Sequence, residues 1–397
     1  MVTKVFDELT EIIEIVCLCS FHISRKSDRA RYCCRETESS MTSANDAPSR
    51  TIRERLEAEE RRVLSPHATF SSASVGRERT EPEDDMRPAF QRDRDRVLHC
   101  RSFRRLAGKT QVFLAPEGDH YRTRITHSLE VSQVARTIAR CLSLNESLTE
   151  VIALGHDLGH TPFGHAGEHA LAHLMPGGFH HARQSVRVVE QLEKEGAGLN
   201  LTLEVRDGIL KHSKGKGPIL SDNPNLTAMT LEGQIVRAAD IVAYVNHDLD
   251  DALRAGLLGE GEIPSAITRV LGATHSERIA SLVMGIVSAS KFDDKRVIRM
   301  DGETLGALSA LREFLYQRVY DDERVHSEFV KAEQILGELW NFYRKNDDEF
   351  SEKWWPRGTR RDEGLDRAVC DFISGMTDRY ALRAFQDLRL PRRWNVF

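Results

Sequence analysis

From Phe90 onward, apolar residues recur at steps of three and four and almost never at every second position, so the chain is expected to fold as an all-α protein. His127 to Leu142 puts Val131, Val134, Ala135, Ile138 and Leu142 on one stripe, which His127 shares. Ser147 with Glu150 predicts a capping box for the next helix, which runs through Ile152 toward His156 until Pro162 and Gly164 break the chain. Further helices are expected over 166–175, ending at Pro176-Gly177-Gly178, and over 181–195, ending at Gly196. A long one starts near Thr230 and reaches Ala255, with Gly256 as its stop. Past Pro264 the clearest helical patterns cover 308–319 and 329–343.

The N-terminal part has a different character. The apolar run from Ile12 to Phe21 is interrupted by Glu14 and preceded by Asp7, Glu8 and Glu11, which is wrong for a cleaved signal, and Met41-Thr42-Ser43-Ala44-Asn45 resembles an ordinary bacterial start. Residues 1–40 are therefore expected to be an upstream-start extension without packed structure. Residues 41–90 are expected to form a charged segment and linker with one short helix near Ile52 to Arg62. The core is placed at 91–262, with helices of 263–397 packed on it.

A chain of 397 residues can bury a large interior. Its net charge of -5 gives no reason to expect a nucleic-acid coat or a binder of anionic membranes, so any phosphate recognition must be local. No run of about 18 uncharged apolar residues is present, which excludes a membrane-spanning helix of ordinary length. The seven cysteines are an odd set without regular spacing, which fits reduced thiols in the cytoplasm. Cys17-Leu18-Cys19 and Cys33-Cys34 lack the two-residue spacing of a zinc knuckle.

Histidine is where the sequence becomes specific. The string from Gly155 to His169 holds His156, His160, His165 and His169 with Asp157 and Glu168 among them, a density that a helical core does not need. Imidazole and carboxylate without thiolate suit Mn²⁺, Fe²⁺, Co²⁺ or Mg²⁺ and disfavour structural zinc. His156 and Asp157 are neighbours that diverge by about 100° on a regular helix, so both reach one ion only near a helix end. His127 offers a third ligand from the preceding helix; alone on an apolar face it is more commonly a satisfied core residue. The loop Lys211-His212-Ser213-Lys214-Gly215-Lys216-Gly217-Pro218 suits a phosphate and equally an ordinary solvated connection.

Taken together these residues resemble a known family. His127, then His156-Asp157, then Asp240 within Arg237-Ala238-Ala239-Asp240 are similar to the ligand set of HD-domain phosphohydrolases. Phe103-Arg104-Arg105-Leu106, Lys109-Thr110-Gln111-Val112-Phe113, the run Gly118 to Glu130 and the His156 to Glu168 string resemble the bacterial dGTPase-like branch, as does Gly375-Met376-Thr377-Asp378-Arg379-Tyr380. The resemblance implies an HD-domain helical core with additional C-terminal helices, and one divalent ion held by His127, His156, Asp157 and Asp240. It places the catalytic histidine at His165 with its acidic partner at Glu168, and phosphate contacts at Arg124, His181 and Lys211. By the same match, Gln111 reads a sugar hydroxyl, Tyr244 packs against C2′ of deoxyribose and Asp248 receives the 3′-OH. A polar helix stripe is the plainer reading of Asp240, Tyr244 and Asp248.

The implied activity is hydrolysis of a deoxynucleoside triphosphate, with dGTP as the pattern, to deoxynucleoside and inorganic triphosphate. A homo-oligomer and a nucleotide effector are further implications. Two rivals keep the same residues: another HD phosphohydrolase, such as a 5′-nucleotidase or phosphodiesterase, and a nucleotide-sensing or single-strand nucleic-acid-binding regulator using Arg101, Arg104, Arg105 and Lys109. For that basic cluster, ion pairing between subunits is the plainer reading.

Overall fold

The computed structural model describes residues 50–111, 122–213, 217–221, 223, 225–292 and 296–391. The expected extension at 1–40, the four cysteines within it, and Lys214 to Lys216 of the basic loop lie outside the described residues. Among the described residues there are sixteen α-helices and no strand; two isolated bridges, Arg77 to Thr202 and Thr110 to Thr123, are the extent of β pairing. No described helix is long and apolar enough to cross a membrane.

In chain order the helices are α1 (Ile52–Val63), α2 (Ala89–Leu98), α3 (Arg101–Arg105), α4 (Arg124–Cys141), α5 (Glu146–Gly155), α6 (Gly164–Leu174), α7 (His181–Arg187) and α8 (Leu203–Lys211). They continue with α9 (Leu231–Arg254), α10 (Ser265–Leu271), α11 (His275–Ala289), α12 (Gly302–Leu315), α13 (Glu323–Lys345), α14 (Asp347–Lys353), α15 (Leu365–Ser374) and α16 (Asp378–Arg389).

The long helices follow the apolar periodicity closely. In α4 the buried positions Val131, Val134, Ala135 and Ile138 form the expected stripe, and this face packs on α5 and α9. The start of α5 differs from the expected Ser147–Glu150 box. Asn145 caps the helix, its side-chain oxygen accepting the N–H groups of Ser147 and Leu148 at 3.1 and 3.2 Å. Glu150 instead pairs with Arg94 and Arg136 across the neighbouring helices. The helix expected over 181–195 is regular only to Arg187. It continues as a π turn over Val188–Leu192, and Lys194 and Glu195 then adopt left-handed backbone.

Buried carboxylates tie residues 65–93 to the helices. Glu232 accepts Thr69 N–H and hydroxyl, Glu204 accepts Val75 N–H, and Asp93 takes Thr202 and Arg77. Two apolar clusters result. One draws on residues from Ala68 through Val319 and carries α4, α5 and α9; the other joins Phe163, Ala166, Ala170 and Leu171 of the α6 region to Leu336, Trp340 and residues of α15 and α16. Helix α6 therefore belongs to the second cluster while the turn before it belongs to the first. That turn, 156–163, is where the histidines converge.

Candidate metal centre and phosphate cleft

Helix α5 ends at Gly155, and His156 still has helical backbone (φ −60°, ψ −40°). Its Nδ1 lies 2.6 Å from the Ala153 carbonyl oxygen, which only accepts, so Nδ1 carries the proton. The Nε2 lone pair is consequently free; it is buried with no protein partner. Asp157 turns its Oδ1 to 3.5 Å from that nitrogen. Asp240, in mid α9, brings Oδ1 to 3.1 Å from His127 Nε2 and 3.9 Å from His156 Nε2. Ligand atoms of His127, His156 and Asp157 lie within 4.8 Å of one another. Three helices thus deliver two imidazole nitrogens and two carboxylates to one point, a donor set that fits a divalent cation. The buried, unpartnered Nε2 of His156 is hard to account for otherwise. Burial opposes ionisation of both acids, but His156 and then Arg124 hold Asp157 well below the usual carboxylate range, and the His127 hydrogen bond followed by His156 does the same for Asp240.

Arg124 precedes His127 by three positions on α4 and shares its buried face. Its Nη1 donates to Asp157 Oδ2 at 2.6 Å, while Nε and Nη2 are buried without acceptors. Two unpaired guanidinium donors beside a carboxylate cluster are arranged for an incoming anion. The backbone keeps this space open at Gly164, with φ of +56°: a Cβ there would stand 3.0 Å from the Gln111 carbonyl and 3.3 Å from Arg124 Nη2. Gly159 is constrained by packing instead, since a Cβ would meet the Ser185 backbone nitrogen at 2.1 Å.

A second group of histidines adjoins the first. Glu168 does not hold His165 as expected: their closest approach is 3.9 Å, and His165 has a side chain 55 % exposed. The Glu168 carboxylate instead accepts both the backbone N–H and Nδ1 of His181, each at 2.8 Å, because α7 begins there and presents its free N–H and the ring together. His181 Nε2 in turn lies 3.1 Å from His212 Nε2. His212 Nδ1 faces the Ile209 carbonyl at 2.7 Å, so His212 is protonated there and offers a lone pair at Nε2. His181 must then donate from both nitrogens, which makes it an imidazolium. The electrostatics agree: burial opposes the charge, yet Glu168 raises His181, while burial followed by the His156 and His181 charges pushes His212 down to about 3. For His165, surrounding protein and then the Arg124 charge favour the neutral ring, an effect softened by its solvent-open face.

The remaining expected residues divide. Gln111 is buried with Oε1 unpartnered. Lys211 is not brought to the cluster: its ammonium pairs with Asp207 at 2.8 Å, and the next residue, His212, points inward in its place. Tyr244 stacks on Tyr320 at 6.3 Å and meets His165 edge-on at 6.4 Å. Asp248 is fully buried and accepts the Tyr320 hydroxyl, with its other oxygen unpartnered. Burial, above all, pushes its carboxyl up to about 8. In unfolded chain this acid ionises near its ordinary value of about 3.9. The folded form keeps its proton up to about 8, so stability is lost as pH rises between the two values. Asp248→Asn removes that loss: its urea midpoint is expected to gain on wild type from pH 5 to 8, and equal midpoints at both ends would contradict the buried, protonated acid.

Sequence reasoning missed several of these groups. His160 was visible in the histidine string, and its ring stacks on His181 at 4.7 Å. His212 could have been suspected only as the neighbour of Lys211. Tyr320 lies on a π turn, Tyr316–Tyr320, just past the expected helix. Asp378, in the C-terminal string, accepts Thr110 N–H and hydroxyl with one oxygen and Phe163 N–H with the other. It thereby pins the strand before the cleft and the left-handed Phe163 (φ 61°) that opens α6.

The family model of the HD domain matches residues 124–245, and that of the phosphohydrolase-associated domain matches residues 298–387. A deoxyguanosinetriphosphate triphosphohydrolase-like protein of Desulfatibacillum aliphaticivorans is 49 % identical over 346 residues, covering 86 % of this chain and 99 % of the relative. One from Caldanaerobacter subterraneus subsp. tengcongensis is 48 % identical, with 87 % and 99 % covered, and one from Geobacter metallireducens is 41 % identical, with 84 % and 97 % covered. The matched span holds all four converging His and Asp residues. The chain belongs to the deoxyguanosinetriphosphate triphosphohydrolase-like family of HD-domain phosphohydrolases.

Proposed function

We propose that this protein is a divalent-metal-dependent triphosphohydrolase that converts a deoxynucleoside triphosphate to deoxynucleoside and inorganic triphosphate. The observation that carries the reading is the meeting of His127, His156, Asp157 and Asp240 beside the unpaired donors of Arg124. The relatives' printed names add the substrate class.

An ion held by the four residues, Mn²⁺, Mg²⁺, Co²⁺ or Fe²⁺, supplies neutralisation of negative charge at the phosphorus under attack. The chain's own residues do the rest. Arg124 directs Nε and Nη2 at phosphate oxygens, and the His181 imidazolium adds a second fixed positive charge. Glu168 keeps His181 charged and oriented. Neutral His165, open to the cleft, serves proton transfer between water and the departing 5′-oxygen. Tyr244 lies across the sugar site against Tyr320 and leaves little room for a 2′-OH, and Asp248 with Gln111 offers unpartnered oxygens to sugar hydroxyls. Homo-oligomer formation and a nucleotide effector belong to the same reading.

The test is a panel of the four dNTPs and GTP with Mn²⁺, Mg²⁺ or Co²⁺, the products separated by ion-exchange chromatography. Inorganic triphosphate with free deoxynucleoside is expected; orthophosphate as first product would replace this reading by a nucleotidase, and no hydrolysis of any of them would sink it.

A further inference from the structure

Behind the catalytic turn, on the side away from the four candidate ligands, lies a cavity of about 800 Å³ that the proposed hydrolysis does not use. Five cationic side chains line it, Arg101, Arg105, Lys109, Lys194 and Arg357, against three carboxylates. Those acids are already committed. Glu193 accepts the Arg101 and Ser102 N–H groups and the Ser102 hydroxyl, and Asp371 takes the guanidinium groups of Arg187 and Arg367. Glu195 is shared by Arg101 and Arg357. Arg105 has one backbone acceptor, the Gly375 carbonyl at 3.0 Å, and Lys194 has no carboxylate partner among the described residues. The cavity wall therefore carries positive charge that the protein leaves unneutralised.

Two more observations bear on the same wall. Lys194, Glu195 and Gly196 have φ of +50°, +58° and +99° in succession, and two consecutive non-glycine residues in this conformation are costly. The run holds Lys194 and Glu195 at the cavity edge beside Arg357. Lys109, 2 % exposed, forms part of the floor and donates its ammonium protons to the carbonyls of Ser374, at 2.8 Å, and His160. Burial and then the Arg105 charge push this amine down to about 7, so an anion in the cavity would relieve it. Tyr380, 47 % exposed, and Phe372 provide flat apolar surface on the opposite wall.

We infer that this cavity binds a phosphate-bearing anion, held by Lys194 and Arg105 over the Lys109 floor and separate from the hydrolytic cleft. Its volume falls within the usual range for small-molecule sites and would admit a ligand up to the size of a nucleotide. Through Lys109 and Gly159, which belong to both the cavity wall and the 156–163 turn region, occupancy reaches the backbone of His160. The inference does not depend on the reaction proposed for the cleft.

Isothermal titration of the full chain with inorganic tripolyphosphate, without divalent metal, tests it. Two binding events are expected in the wild type, one of them surviving Arg124→Ala. In that background Lys194→Glu with Arg105→Glu should weaken the survivor by about tenfold or more, near 1.4 kcal/mol; Lys194→Glu alone, at a solvent-exposed position, should weaken it in the same direction. A parallel titration with ADP assigns the source: tighter binding than tripolyphosphate indicates a nucleotide using Tyr380 and Phe372, equal or weaker binding a bare phosphate chain. Loss of all binding in Arg124→Ala, or binding indifferent to Lys194→Glu, would overturn the inference, while loss of only the Arg124-dependent event bears on the cleft.

Discussion

Asp157→Ala is expected to abolish both turnover and divalent-metal binding, and to destabilise the metal-free fold by roughly 3–5 kcal/mol, the usual cost of breaking a buried ion pair from one side. Arg124 is 2 % exposed, and Asp157 is the only acceptor recorded for its guanidinium, at 2.6 Å. Removing the carboxylate strands a cation that already has two donors without partners. Asp157→Asn separates the two effects. Its amide oxygen still accepts from Arg124, so much of the stability should return, whereas a neutral amide makes a poor ligand and turnover should stay lost. Urea denaturation beside dNTP hydrolysis checks both, and an Asp157→Ala protein with wild-type stability would mean that Arg124 finds another partner.

The second large effect is expected at Glu168. Glu168→Gln keeps the shape but removes the anion that lets His181 hold two protons. The amide can accept from His181, yet it no longer offsets the imidazolium, so the ring should turn neutral and the cleft lose a positive charge. A fall in kcat of about 10²–10⁴ is expected, as for other groups that set the protonation of a catalytic site. Metal content should be unchanged, because Glu168 is not among the four converging groups. Steady-state kinetics with metal analysis decides this, and His165→Ala provides the comparison. If Glu168 acted by holding His165 directly, the Glu168→Gln and His165→Ala defects would coincide and the His181 ring would keep its imidazolium signals by NMR in Glu168→Gln.

What was legible in the sequence was local. The stripe on α4, the span of α9 and the breaks at Pro162 and Gly164 follow from periodicities and stop residues that act over one or two turns. The cap of α5 was misplaced because Asn145, Glu146 and Ser147 are all polar, and only geometry shows which of them accepts the free N–H groups. The π turns at Val188–Leu192 and Tyr316–Tyr320 have no sequence rule of comparable strength.

At the site, the histidine string announced itself by density, and the family resemblance supplied His127 and Asp240. Their meeting is a tertiary fact, since His127 and Asp240 are 113 positions apart. The spacing rule that joined His165 to Glu168 was correct about which face they share, and it lost to a partner 13 residues away that brings two donors to the same carboxylate. Tyr320 reaches Asp248 over 72 positions and Asp378 reaches Phe163 over 215, so no local pattern could have assigned either. The second apolar cluster has the same origin. It takes part of α6, so the C-terminal helices are built into the support of the turn that carries the histidines.

The account rests on one cation site formed by side chains from α4, the end of α5 and α9. Its most direct measurement is an anomalous-difference map from a crystal of the full chain grown with Mn²⁺. A peak within bonding distance of His127, His156, Asp157 and Asp240, lost in Asp240→Ala, is the predicted result. Saturating Mn²⁺ with no peak there, or a peak that persists unchanged without Asp240, would contradict it.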